Sequence, residues 1–156
     1  MSSGVMALLL ACGGCFALTT LSAVFPWVNA EIVVLSFTAA ASSPAVAALL
    51  IVIATAGQMT GKLVLYSAGR QGSRLRSPRF ARQLASWQAR CTANPRHADR
   101  VVLMSSIVGF PPFIITSLMA GAVRMDLMRF LIAGAIGRLV RFGGIALAGN
   151  LVTGAF

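Results

Sequence analysis

The sequence predicts an all-α integral membrane protein: about three transmembrane helices, two re-entrant hairpins entering from opposite faces in the manner of an inverted repeat, and a cytoplasmic amphipathic helix. Three observations lead there. The chain is 58% hydrophobic and only 10% charged, with a mean hydropathy of +0.86, whereas soluble domains carry about 25% charged residues. Glu31 is the single charge among the first 61 residues. Of the thirteen Lys and Arg residues, eight lie in residues 70–100, none precedes Lys62 and none follows Arg141. That clustering marks one cytoplasmic loop by the positive-inside rule.

The same clustering argues against nucleic acid as the partner of a chain with net charge +10, because the basic residues are not spread over a polar surface. The length suits one membrane domain over residues 1–156. Cys12, Cys15 and Cys91 make no disulfide framework: two fall in an apolar segment and one in the basic loop.

Residues 5–24 are long enough for the first transmembrane helix, since about 20 apolar residues cross the hydrocarbon core. Val28-Asn29-Ala30 also reads as a signal-peptide cleavage site, but no Lys or Arg opens the chain as such a peptide requires. Residues 25–43 are interrupted by Pro26, Asn29 and Glu31, and their uninterrupted part, 32–41, would extend only ~15 Å as a helix. This half-membrane reach makes them the first re-entrant hairpin.

Residues 44–69 form the second span, with Lys62 near enough to its cytoplasmic end to snorkel. Gly57 and Gly61 have the small-xxx-small spacing that permits close helix contact. In the basic loop, 70–100, Phe80, Leu84, Trp87 and Cys91 recur at helical spacing while Arg79, Arg82 and Arg90 point elsewhere. The stripe fits an interfacial helix whose arginines contact lipid headgroups, and equally a helix packed on the protein's own cytoplasmic face.

Residues 101–123 hold two short apolar pieces around Phe110-Pro111-Pro112. Two prolines disfavour a straight helix, and arginines at both ends place both in the cytoplasm. The segment therefore reads as a second re-entrant hairpin, with a kinked spanning helix as the alternative. Asp126 is a candidate N-cap for the last span, 127–153. Arg138 would lie ~16 Å into that helix, near the bilayer midplane, where an arginine faces a partner or water. Two hairpins from opposite faces, with amino terminus and basic loop both cytoplasmic, should bring their tips together at the midplane.

Phe25-Pro26-x-x-x-Ala30-Glu31, Gly57-x-x-x-Gly61, Gly69-Arg70, Ala120-Gly121-x-x-x-Met125, Phe130 and Gly137-Arg138 with Arg141 stand in an order and spacing that resembles the DedA family. That family belongs to the wider VTT (SNARE-associated Golgi protein) superfamily, and the chain resembles its short YqaA-type branch. The resemblance covers most of residues 20–145. It implies a multi-pass bacterial inner-membrane protein that moves lipids between leaflets, with phospholipid or undecaprenyl phosphate as partner. By residue matching, Glu31 is the family's hairpin carboxylate, and Gly57, Gly61, Gly69, Gly121 and Gly137 are structural glycines. Better-studied members carry a second acid in the first hairpin and arginines around the proline of the second. Here neither is present, so Arg138 and Arg141 stand as the source of positive charge.

The expected transport site is a polar groove at Glu31, Arg138 and Arg141, edged by Pro26, Asn29, Pro111 and Pro112. Arginine suits a phosphate because its planar fork binds oxygens bidentately, and a protonatable carboxylate nearby competes for it. A purely structural ion pair, with Asn29 capping the short helix and Glu31 in its first turn, uses the same residues. A proton-coupled small-solute transporter and a non-transporting scaffold with a lipid-binding loop are the other functional readings. A chain with so few spans is compatible with a homo-oligomer that seals a pathway.

No enzyme, cofactor or metal is expected. Cys12-Gly13-Gly14-Cys15 has redox spacing without the βαβ context such a motif needs. His97 is the only histidine, and a metal site needs more ligands. Gly57 to Lys62 departs from a phosphate loop in glycine spacing and lacks the following Ser or Thr.

Overall fold

The computed structural model describes residues 3–25, 27–72, 78–94 and 96–153. Pro26, Arg74 and Arg76 lie outside the described residues, as do the side chains of Arg79 and Phe80. Among the described residues every regular element is helical: α1 (Ser3–Val24), α2 (Ala30–Ala39), α3 (Pro44–Gln71), α4 (Pro78–Ala93), α5 (His97–Val108), α6 (Phe113–Ala122) and α7 (Leu127–Thr153). Three of them contain stretches long and apolar enough to cross a membrane: Gly4–Val24, Pro44–Gln71 and Leu127–Leu151. Large apolar side chains such as Leu10, Val52, Ile132 and Leu147 stay exposed along these helices, as a lipid solvent permits. The two hairpin segments of the sequence reading hold the short apolar helices α2 and α6, and the second also takes in most of α5, which begins at His97 within the expected basic loop.

Local chemistry sets the boundaries. Asn29 is the N-cap of α2, its side chain accepting from the Glu31 backbone N–H at 2.9 Å. Ser43 does the same for α3 through the Val46 N–H, and proline follows as the first helical residue, where its missing N–H costs nothing. Asp126 caps α7 by accepting from the Arg129 N–H at 3.0 Å. Helix α5 stops at Gly109, left-handed at φ 86°. Helix α6 stops at a Schellman turn, with Met125 N–H donating to Ala120 O and Arg124 N–H to Gly121 O. The residue that must be left-handed there is Arg124, at φ 56°.

The chain forms two compact units, one of residues 1–61 with 138–156 and the other of residues 62–137. In the first, α2 packs on α1, and Cys15, Val34, Leu50, Ala54 and Phe142 form a core drawn from α1, α2, α3 and α7. A Cβ on Gly57 would meet the Phe16 carbonyl at 2.6 Å, and one on Gly61 would meet that of Thr20 at 2.7 Å, so α1 and α3 approach backbone to backbone.

In the second unit, α5 and α6 pack together as a helical hairpin. Ser105 Oγ donates to the Pro111 carbonyl at 2.6 Å and accepts from Thr116 Oγ1 at 3.0 Å, closing the turn. The Phe110–Pro111 peptide is cis. Phe130 stacks on Tyr66 and Phe113 at centroid distances of 5.0 and 6.3 Å, and the Tyr66 hydroxyl donates to the Met125 carbonyl. A Cβ on Gly69 would collide with the Leu118 carbonyl, one on Gly121 with that of Tyr66, and one on Gly137 with Ser106.

Two residue patterns noted in the sequence fall in this unit. Helix α4 lies against α5 and α6, with Leu84, Trp87 and Cys91 half-buried and Arg82 and Arg90 exposed. Lys62 does not snorkel: it is 2% exposed, its ammonium 5.5 Å from the centre of the Phe113 ring. Phe113 opens α6, so the aromatic face needed to receive the cation comes from a segment 51 residues away that helix spacing around Lys62 does not reveal.

Candidate functional site

Asn29, Glu31, Arg138 and Arg141 all belong to the first unit. The cap at Asn29 starts α2 one residue before Glu31, so the carboxylate sits in the first turn, where the helix dipole favours an anion. From α7, Arg141 Nε donates to Glu31 Oε1 at 2.8 Å, and its Nη2 donates to the same oxygen. Both guanidinium donors converge on one carboxylate oxygen, a charge-assisted arrangement stronger than a neutral hydrogen bond.

The pair is not sealed. The Glu31 side chain is 38% exposed and that of Arg141 22%. Arg138 stands one turn earlier on the same helix, 9% exposed, with its guanidinium 5.7 Å from the centre of the Phe142 ring. Two arginines at i, i+3 repel each other on a helix face, and Glu31 supplies an opposing charge. The arrangement holds a dense cationic point, one member half-open, beside an anion.

Trp27 projects at 90% exposure from the turn before Asn29. Farther along, an apolar cavity of about 430 Å³ separates the start of α3 from the end of α7, lined by Ala47, Ile51, Gly143, Ala146 and Leu147. Gly143 lies two residues beyond Arg141.

A polar pair absent from the sequence reading lies in the same unit. Gln58 Nε2 donates to Ser22 Oγ at 2.5 Å, and Ser22 Oγ in turn donates to the Thr19 carbonyl at 2.8 Å. Gln58 Oε1 is buried without a hydrogen-bond partner. The available signal was a glutamine between Gly57 and Gly61 in an apolar helix, a position where a polar side chain is expensive.

The remaining expected positions fall in the second unit. Pro111 and Pro112 form the α5–α6 turn, Gly69, Gly121 and Gly137 lie at helix approaches, and Arg82 and Arg90 lie exposed on α4. There Asp99 binds Arg129 Nη2 at 2.6 Å, joining α5 to α7. The Cys91 thiol is pushed above its ordinary range by burial, with the Asp99 carboxylate adding to the rise and a backbone hydrogen bond at Ala98 opposing it.

The family model described as the VTT domain matches residues 25–151. No curated protein and no solved structure matches the chain.

Proposed function

The chain belongs to the VTT domain family, the domain of DedA and SNARE-associated Golgi proteins, and from that membership, generally linked to membrane transport, we propose that it is a lipid translocase or scramblase. Its substrate is a lipid with a phosphate headgroup, either a phospholipid or a polyprenyl phosphate, and it works in a bacterial inner membrane with the amino terminus and residues 70–100 on the cytoplasmic side. The short helix α2 and the α5–α6 hairpin act as re-entrant elements.

The observation that carries this reading is the half-exposed Glu31–Arg141 pair with Arg138 one turn away. A phosphate entering from the open side competes with Glu31 for the Arg141 fork, and Arg138 adds the second charge that a phosphate rewards. The headgroup leaves when Glu31 recaptures Arg141. Tails stay in lipid or along the apolar cavity beyond Gly143. Broken backbone around Asn29 is tolerable in a membrane because protein or water covers it.

Fluorescent-lipid dequenching in proteoliposomes tests this. Wild type is expected to move labelled lipid, and Glu31→Gln, Arg141→Gln and Arg138→Ala are each expected to slow it about tenfold or more, in line with loss of a charge-assisted contact. Movement unaffected by all three removes the groove. No lipid movement by folded protein points instead to a solute transporter or a scaffold.

A further inference from the structure

We propose that the groove between α4 and α5 is a separate binding site for one anionic glycerophospholipid, held by its headgroup phosphate. Apart from Pro111, which also lines it, the groove uses none of the residues assigned to translocation. A cavity of about 370 Å³ opens there, lined by Trp87 and Arg90 of α4, by His97, Arg100, Val101 and Met104 of α5, and by Pro111 of the α5–α6 turn. Arg90 and Arg100 are exposed and His97 half-buried, so two permanent cations and one titratable ring face a space that no lining carboxylate shares.

Comparison with the neighbouring cavity shows why this one selects an anion. The groove between α5 and α7 is of similar size and also borders Arg100, but Asp99 stands at its edge and holds Arg129 at 2.6 Å. One of its two arginines is thereby neutralised. The α4–α5 groove keeps both of its own, and arginine forks match phosphate oxygens.

The polarity of α5 then specifies a lipid over a soluble phosphate. His97, Arg100, Met104 and Val108 follow one another at i, i+3, i+7 and i+11, on one face of the helix. Met104 is 54% and Val108 58% exposed. The charged end therefore continues into an uncovered apolar strip ~12 Å long from Arg100 to Val108. A molecule with a phosphate at one end and an acyl chain at the other fits both halves, and Trp87 lines the same groove with an amphipathic ring of the kind that suits a headgroup–tail boundary.

Trp27 and Trp87 are the two tryptophans of the chain, so Trp27→Phe leaves Trp87 as a reporter inside the groove. The full chain in neutral detergent is titrated with phosphatidylglycerol carrying brominated acyl chains, and with brominated phosphatidylcholine of equal chain length. Saturable quenching by the anionic lipid is expected, with half-quenching by phosphatidylcholine requiring about tenfold more lipid or above. Arg90→Gln combined with Arg100→Gln should erase that preference. Since two substitutions can disturb the α4–α5 packing, Met104→Glu is measured in parallel; it keeps every cation and puts a charge on the tail path, and it too should weaken quenching about tenfold. Equal quenching by both lipids, or unchanged quenching in both variants, overturns the site. A Trp87 emission shift caused by inorganic phosphate or polyglutamate, without quenching by lipid, also overturns it and assigns the groove to a soluble anion.

Discussion

Arg141 reaches from α7 to the first turn of α2 and places two donors on a single oxygen of Glu31, Nε at 2.8 Å. The contact links residues 110 apart in sequence, and it does so within a unit whose apolar core already holds α2 to α7 through Val34 and Phe142. Electrostatics is thus added to a packed interface. That allows the pair to be opened without unfolding it.

The first prediction concerns coupling. Glu31→Gln and Arg141→Gln should each lower thermal stability in detergent, and the double variant should lose less than the sum, with an interaction energy of about 1–3 kcal/mol. Partial exposure of both side chains keeps the value below the larger cost of breaking a fully buried pair. An additive cycle would deny any coupling between them.

The second separates close-packed glycines from open ones. Gly→Ala normally favours a helix by up to about 1 kcal/mol. A Cβ on Gly69 or Gly121 collides with a backbone carbonyl, whereas nothing lies within 4 Å of a Cβ on Gly13 or Gly144. Gly69→Ala and Gly121→Ala should therefore lower the melting temperature, while Gly13→Ala and Gly144→Ala hold or raise it. Melting followed by gel filtration checks all four, and a uniform response would contradict the packing.

The third uses the thiol of Cys91. Burial and Asp99 raise its pKa, so its thiolate fraction near pH 8 is smaller than that of an ordinary cysteine with pKa about 8.5. In a background with Cys12 and Cys15 changed to Ala, the alkylation rate should keep climbing above pH 8.5, and Asp99→Asn should accelerate it at pH 8. A free-thiol pH profile would refute this. Applied to intact cells, an impermeant maleimide should leave Cys91 unmodified if residues 70–100 are cytoplasmic.

These tests rest on features that differ in how legible they were. Helix positions followed from apolar run length, and the caps at Asn29 and Asp126 from residue type. The charge partner of Glu31 was harder. Arg138 and Arg141 share a helix face at i, i+3, and the sequence does not say how α7 is rotated toward α2; both were expected to face Glu31, and the structure shows an ion pair at Arg141. Lys62 was read from its distance to the helix end, yet its ammonium lies inside, 5.5 Å from the ring centre of Phe113, a residue far away in the chain. Gln58 and Ser22 lie 36 residues apart, and no local spacing announces such a bond.

The last prediction follows from that bond and turns on which group is left behind. Gln58→Met removes the amide, including the buried Oε1 that has no partner, and leaves Ser22 Oγ still donating to the Thr19 carbonyl at 2.8 Å. No new orphan is created, and methionine matches the glutamine in length and adapts to the gap. Stability should change by less than about 1 kcal/mol. Ser22→Ala deletes a single oxygen, yet it strips the Gln58 amide, 1% exposed, of the acceptor its Nε2 uses. Both ends of a buried amide are then unsatisfied, at a cost of about 1–3 kcal/mol. The smaller deletion should therefore do the greater harm. Thermal melts of the two variants decide it: a larger loss for Gln58→Met would mean that the glutamine is held by contacts other than Ser22, while equal and negligible losses would mean that water reaches the site and satisfies the amide.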